Sequence, residues 1–150
     1  MELTSTAFEN EGKIPSKYTC DGENVNPALR LSGVPAEAKA LVLIMDDPDV
    51  PPNVREDGVW DHWVVFNIPP DVREIPEGQE PPGTPGLGTN GETGYFGPCP
   101  PDREHRYFFY AYALDAPLDL PEKTDKVTVQ REMTGHVIDN AVLMGRYARV

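Results

Sequence analysis

The sequence predicts a mostly-β fold in which two antiparallel sheets pack as a β-sandwich with one or two short peripheral helices. Short apolar or alternating runs recur along the chain. Turn residues separate them at nearly every step. Only one segment, close to the C-terminus, carries a helical period. The length of 150 residues corresponds to one domain spanning 1–150.

Taken in order, Leu3 to Phe8 reads as a short strand, closed by the turn residues Asn10-Glu11-Gly12. Tyr18-Thr19-Cys20 runs into a second turn, Asp21-Gly22-Glu23-Asn24. Ala28 to Leu31 mixes apolar and polar residues as a half-buried strand does, and Gly33-Val34-Pro35 breaks it. Ala40 to Met45 is a continuous apolar run, the mark of a strand buried on both faces. It ends in the acidic, proline-containing Asp46 to Pro52, which puts Asp47 and Asp49 at the strand's end. In the next strand, Val59 to Ile68, strict alternation puts His62, Val64, Phe66 and Ile68 on one face. Asp61, Trp63, Val65 and Asn67 fall on the other.

Pro69 to Pro101 shows no helical or strand period. Loops that long are functional or disordered, and Tyr95-Phe96 with Gly97-Pro98 points to order in the second half. Arg106 to Leu114 is an aromatic strand with His105, Tyr107, Phe109, Ala111 and Ala113 on one face. Thr124 to Asn140 carries the helical stripe Val127, Met133, Val137 and Ile138, with Thr124 or Asp125 as cap and Gly135 as a break. Ala141 to Arg149 returns to alternation as a final strand, with Ala141, Leu143, Gly145 and Tyr147 on one face.

The formal net charge is −12, from 25 acids against 13 bases. Phosphate-backbone binding needs a basic footprint, so nucleic acid is excluded as a general partner, and an anionic membrane surface would repel the chain. Any anion it binds must sit in a local pocket that outweighs this field. No apolar run approaches the roughly 20 residues of a membrane span, so no integral membrane association is expected. Met1 to Thr6 has no signal-peptide character, so the expected address is the cytoplasm. In that reducing compartment Cys20 and Cys99 are expected as two separate thiols. Neither belongs to a C-x-x-C pair, which removes a zinc ribbon.

Asp47, Asp49, His62, His105 and Tyr107 gather at strand ends, with Cys99 and several loop amides nearby. Three chemistries could use them. Imidazoles, a phenol and backbone N–H groups could bind an anion, with Asp47 or Asp49 orienting a histidine and raising its pKa. Gly97 would then let the ligand approach the backbone. Two histidines and an aspartate could hold a divalent metal. Cys99 could act as a nucleophile with a histidine base. Spacing alone does not choose among them.

Asp46-Asp47-Pro48-Asp49-Val50-Pro51, followed by Asp61-His62-Trp63-Val64-Val65-Phe66-Asn67-Ile68-Pro69, resembles the first signature of the phosphatidylethanolamine-binding proteins. Gly94-Tyr95-Phe96-Gly97-Pro98-Cys99-Pro100-Pro101 with His105-Arg106-Tyr107 resembles the second. Tyr18-Thr19-Cys20-Asp21-Gly22, Gly135-His136 and Gly145-Arg146-Tyr147 are similar to the bacterial and archaeal, Raf kinase inhibitor-like branch.

The resemblance implies a large central sheet on a smaller one. It also implies a non-enzymatic binding protein of regulatory character, without cofactor or metal, whose pocket takes a small anion or a phosphorylated headgroup. The implied pocket is Asp47, Trp60, His62, Gly97, Pro101, His105 and Tyr107, with Val50, Pro51, Phe96 and Cys99 as wall. His62 and His105 would be its charged or donating groups, so affinity is expected to fall as pH rises through the imidazole range. An alternative the family carries is inhibition of a serine protease or protein kinase, acting here through an exposed loop within Arg73 to Asn90. A homodimer is the assembly it implies. Two departures matter. Asp102-Arg103-Glu104 stands where glycine is common, so Glu104 is expected to put a negative charge beside the anion site. The sequence ends at Val150, soon after Gly145-Arg146-Tyr147, so no C-terminal helix is expected over the pocket.

Overall fold

Two antiparallel sheets account for every named strand in a computed structural model that describes residues 1–149. The smaller has three strands in the order β1 (Glu2–Thr4), β2 (Leu29–Ser32), β5 (Glu74–Ile75). The larger has five, in the order β6 (Thr84–Pro85), β4 (Trp60–Ile68), β3 (Ala40–Asp47), β7 (His105–Leu114), β8 (Val137–Tyr147). One α-helix, α1 (Lys126–Met133), and one 3₁₀ turn, Ser16–Tyr18, complete the regular structure among the described residues.

The core lies on both faces of the large sheet. Between the sheets, Leu3, Leu29, Leu31 and Ile75 meet Leu41, Leu43, Met45, Trp63, Val65 and Phe109. On the far face Val42, Ile44, Val64 and Phe66 pack against Val129 and Met133 of α1 and against Leu118. β3 is therefore covered on both sides, as its unbroken apolar run predicts. It runs two residues past Met45, and Asp46 and Asp47 are buried with the rest of it.

β4 departs from strict alternation. Leu41 pairs with Ile68 but Leu43 with Val65, so β4 carries an extra residue near Asn67, whose φ is +53°. Ile68 is thereby moved to the face of Trp63 and Val65. Met45 pairs with Trp63 and Asp46 with Asp61, which leaves His62 as a second extra residue. His62 does not share a face with Val64 and Phe66. It meets Tyr107 edge-on, with ring centroids 5.4 Å apart, on the side between the sheets.

Several elements differ in extent from their sequence patterns. β1 stops at Thr4, and Phe8 is buried outside any strand. The helix is shorter than its pattern: Asp125 caps it by accepting from the Thr128 amide at 3.0 Å, and it ends at Met133, two residues before Gly135 at φ +84°. Of the expected stripe only Met133 is buried. Val127 is exposed, and Val137 and Ile138 open β8, where pairing with the end of β7 draws them into the ladder. The buried face is Lys126, Val129 and Met133.

The long Pro/Gly stretch hides β5 and β6, two-residue strands too short to leave a period. It is also tied down. Glu77 accepts from Tyr18 Oη at 2.6 Å and Lys17 Nζ at 2.9 Å, and Glu80 accepts from Trp63 Nε1 at 3.0 Å. Among the described residues no helix is long and apolar enough to cross a membrane.

Lys126 fixes α1 to the sheet. Its Nζ lies 3.0 Å from Asp46 Oδ2 and 2.6 Å from Asp61 Oδ1, and all three side chains are largely buried. Burial still holds the Asp46 carboxyl above its ordinary range, against the pull of Lys126. Removing the cation would leave two buried carboxylates facing each other. Lys126→Ala is therefore expected to lower unfolding free energy by about 3 kcal/mol in urea titration. A loss under about 0.5 kcal/mol would class the cluster with surface pairs and refute its anchoring role.

Candidate functional site

The end of β3 and the starts of β4 and β7 lie side by side, because Asp47 pairs with Trp60 and Asp46 with Phe108. The two motif-bearing stretches meet there around a cavity of about 270 Å³. Asp47, His62 and His105 form its polar end; Val50, Trp60, Phe96, Cys99 and Pro101 form walls. Val54 joins them. Sequence reading passed over it because nothing in its acidic, turn-rich surroundings marks one apolar residue as a wall.

His105 is fully buried and uses both ring nitrogens. Nδ1 lies 2.6 Å from Asp47 Oδ2 and Nε2 lies 2.7 Å from Asp102 Oδ1. A ring that donates from both nitrogens would carry one positive charge between these two carboxylates. Asp47 is itself oriented, accepting from the Asp49 amide at 2.8 Å. Desolvation nonetheless keeps its carboxyl above the usual range, outweighing the hydrogen bond from His105. The hydrogen bond from His105 holds Asp102 below it. Asp49 has another task. It takes Arg106 in a bidentate pair at 2.8 and 3.0 Å and accepts the Arg106 amide, tying the start of β7 to the loop after β3.

His62 differs from the expected cation. Its Nδ1 lies 2.5 Å from the carbonyl oxygen of Phe96, which can only accept, so Nδ1 carries the proton and Nε2 is left as an acceptor. Burial drives the imidazole pKa down to about 4. Near neutral pH it is uncharged and cannot serve as the anion's charged partner, so the expected pH dependence of affinity cannot come from this ring.

Tyr107 lies behind both rings, stacked on His105 with centroids 6.4 Å apart. Its hydroxyl is buried beside Asp47, and Trp60 Nε1 is a buried donor without a hydrogen-bond partner among the described residues. Burial, with Asp47 nearby, pushes the phenol well above its ordinary range, so it stays a neutral donor.

Pro51, Gly97 and Tyr107 do not line the cavity. Gly97 serves the wall: its amide donates to Asn24 Oδ1 at 2.8 Å, and a Cβ there would sit 2.1 Å from the Tyr18 carbonyl oxygen. The same contact between loops overturns the expectation of separate thiols. Cys20 N–H donates to the Pro98 carbonyl at 3.1 Å, Tyr95 Oη to the Tyr18 carbonyl at 2.7 Å, and Cys20 and Cys99 are joined in a disulfide with Cα atoms 5.4 Å apart. Glu104 is also elsewhere, 3.1 Å from Arg146 on the exposed surface. The acid beside the site is Asp102. Among the described residues no cluster of three or more His, Cys, Asp or Glu side chains has the arrangement of a metal site.

Residues 4–148 match the family model described as phosphatidylethanolamine-binding protein. A UPF0098 protein of Chlamydia trachomatis is 52% identical over 149 residues, covering 99% of each chain. One from Methanothermobacter thermautotrophicus is 50% identical over 155 residues, again covering 99% of each. Among solved structures, a C. trachomatis protein described as a phosphatidylethanolamine-binding protein homologue superposes with a TM-score of 0.97 at 52% identity, over 99% of this chain and 97% of that one. Escherichia coli YbcL, described as a member of the mammalian family, gives 0.89 at 27% identity, over 99% and 98%.

The buried neutral ring has a consequence for stability. His62 titrates near 6.5 in its ordinary state and near 4 when folded. Between those values the unfolded chain binds the proton and the folded one does not, so this contribution is intact above 6.5 and lost as pH falls toward 4. The loss is on the order of 3 kcal/mol. Asp46 and Asp47, held high by burial, act in the opposite sense and are common to the wild type and the variant. Denaturation of wild type and His62→Gln across that range should show the acid-side loss only in the wild type. Identical pH slopes would refute the neutral ring.

Proposed function

The chain belongs to the phosphatidylethanolamine-binding protein family, and on that premise we propose that it is a binding protein whose cavity takes a small anion or a phosphorylated headgroup. One observation carries this reading. Trp60, whose buried Nε1 has no partner among the described residues, lines the same small chamber as His105, whose two nitrogens are held by Asp47 and Asp102. Buried donors are normally satisfied, and a ligand's oxygen would satisfy the indole N–H.

The rest of the lining defines what the ligand looks like. His62 Nε2 accepts, so it matches an O–H or N–H brought by the ligand. A singly protonated phosphoryl group offers acceptor oxygens and one O–H together. Val50, Val54, Phe96 and Pro101 supply apolar contact for the carbon of an ester. The volume of about 270 Å³ exceeds that of one water, about 30 Å³, by enough to seat a headgroup rather than a bare ion.

Calorimetric titration with inorganic phosphate and with phosphoethanolamine tests the reading. One site per chain is expected, with phosphoethanolamine the tighter ligand. His105→Ala should weaken both by at least about tenfold, and Trp60→Phe, which keeps the wall and deletes the donor, by a smaller factor. Unchanged affinity in His105→Ala would remove this cavity as the seat.

A further inference from the structure

We propose that Asp102 competes for the anion seat, its carboxylate holding His105 Nε2 until an incoming phosphoryl group displaces it. The inference rests on the reading of the cavity given above and concerns what regulates and selects at that same site.

The two carboxylates on His105 are not equivalent. Asp47 belongs to β3, is 3% exposed, and is fixed by the Asp49 amide. Asp102 sits in the irregular turn between Pro101 and His105, and its side chain is 40% exposed. Its one other charged neighbour within 4 Å is Arg103, at 3.8 Å. One nitrogen of a buried ring is thus held by a fixed carboxylate and the other by one on a solvent-facing turn. The fixed pair orients the ring. The exposed pair covers the one His105 nitrogen not held by that fixed carboxylate.

Asp102 also has somewhere to go. A second hollow of about 280 Å³, which shares Pro101 with the first, is bordered by Asp102, Arg103 and Arg149. Two guanidinium groups there can receive the carboxylate once it leaves His105. Arg149 is anchored to Asp21 at 2.9 Å, so this end of the exchange stays in place. The swap conserves charge pairing: His105 exchanges one anion for another, and Asp102 exchanges an imidazole for a guanidinium.

Selectivity follows from competition with a tethered carboxylate. A free carboxylate brings the same group that Asp102 already provides, without the tether, and gains little. A phosphoryl group brings more oxygens, enough to answer His105 and Trp60 together, and an O–H for His62. The turn therefore favours phosphoryl groups over carboxylates. Glu104, paired with Arg146 outside the cavity, has no part in this and serves as the control.

The test is calorimetry of inorganic phosphate and acetate with wild type, Asp102→Ala, Asp102→Asn and Glu104→Ala. Both Asp102 variants should bind each anion more tightly, phosphate by on the order of tenfold and acetate by more, so that the preference for phosphate shrinks. Glu104→Ala should match wild type. In wild type, phosphate should shift the carboxyl carbon resonance of Asp102 as its partner changes from imidazole to guanidinium; a purely structural contact would leave that signal unmoved. Phosphate binding that is unchanged or weaker in both Asp102 variants overturns the proposal and leaves the anion seat standing. Binding seen only in the variants supports both. No binding in any of the proteins overturns both.

Discussion

A buried imidazole that must donate from both nitrogens organises this end of the molecule. His105 has no exposed surface, so each N–H needs an acceptor from the protein or a ligand. Asp47 meets one, and it can do so because β3 and β7 are direct neighbours in register, with Asp46 opposite Phe108. The acidic loop after β3 is held to β7 by a second link, Asp49 with Arg106. The chamber between them depends on these pairings, since Val50 and Val54 are carried on that loop.

The same strand end faces a matching problem on its other side. Asp46 and Asp47 are consecutive, and the pleat sends them to opposite faces of the large sheet. Two adjacent buried carboxylates are tolerable only if each finds a cation or donor. Asp47 finds His105 toward the small sheet, and Asp46 finds Lys126 toward α1, with Asp61 sharing that ammonium. The helix therefore does more than cover Val42 and Phe66. It neutralises the strand that supports the site, so packing on one face and chemistry on the other are linked through two neighbouring residues.

Much of this was legible in the sequence, and the misses share a cause. The continuous run Ala40 to Met45 announces a doubly covered strand, and the one-face set from His105 to Ala113 is buried throughout. The alternation of Ala141, Leu143, Gly145 and Tyr147 likewise holds. Failures arose where one residue breaks the period. Extra residues at His62 and near Asn67 turned side chains that strict alternation assigned elsewhere. A two-residue strand has no period to detect, which hid β5 and β6. Pairings distant in sequence left no local mark. Lys126 reaches back 80 positions to Asp46, and Cys20 meets Cys99 across 79. The expectation of free thiols was drawn from compartment, whereas the contact between the two loops is a matter of geometry. Near the site, Asp102 and Glu104 are both acids in one short turn; only the fold shows that the first reaches His105 and the second Arg146.

The net charge of −12 disfavours an anionic ligand at a distance, yet it has limited reach. Screening cuts interactions between exposed charges beyond about 8 Å at physiological salt, while a walled chamber is governed by the groups that line it. There His105 lies between Asp47 and Asp102, the buried Trp60 Nε1 supplies an uncompensated donor, and His62 supplies an acceptor. A bare halide could answer the first two but has nothing to give His62. On the proposed reading the neutral ring moves the requirement from charge alone to charge combined with a donor, which a singly protonated phosphoryl group would satisfy within one small volume.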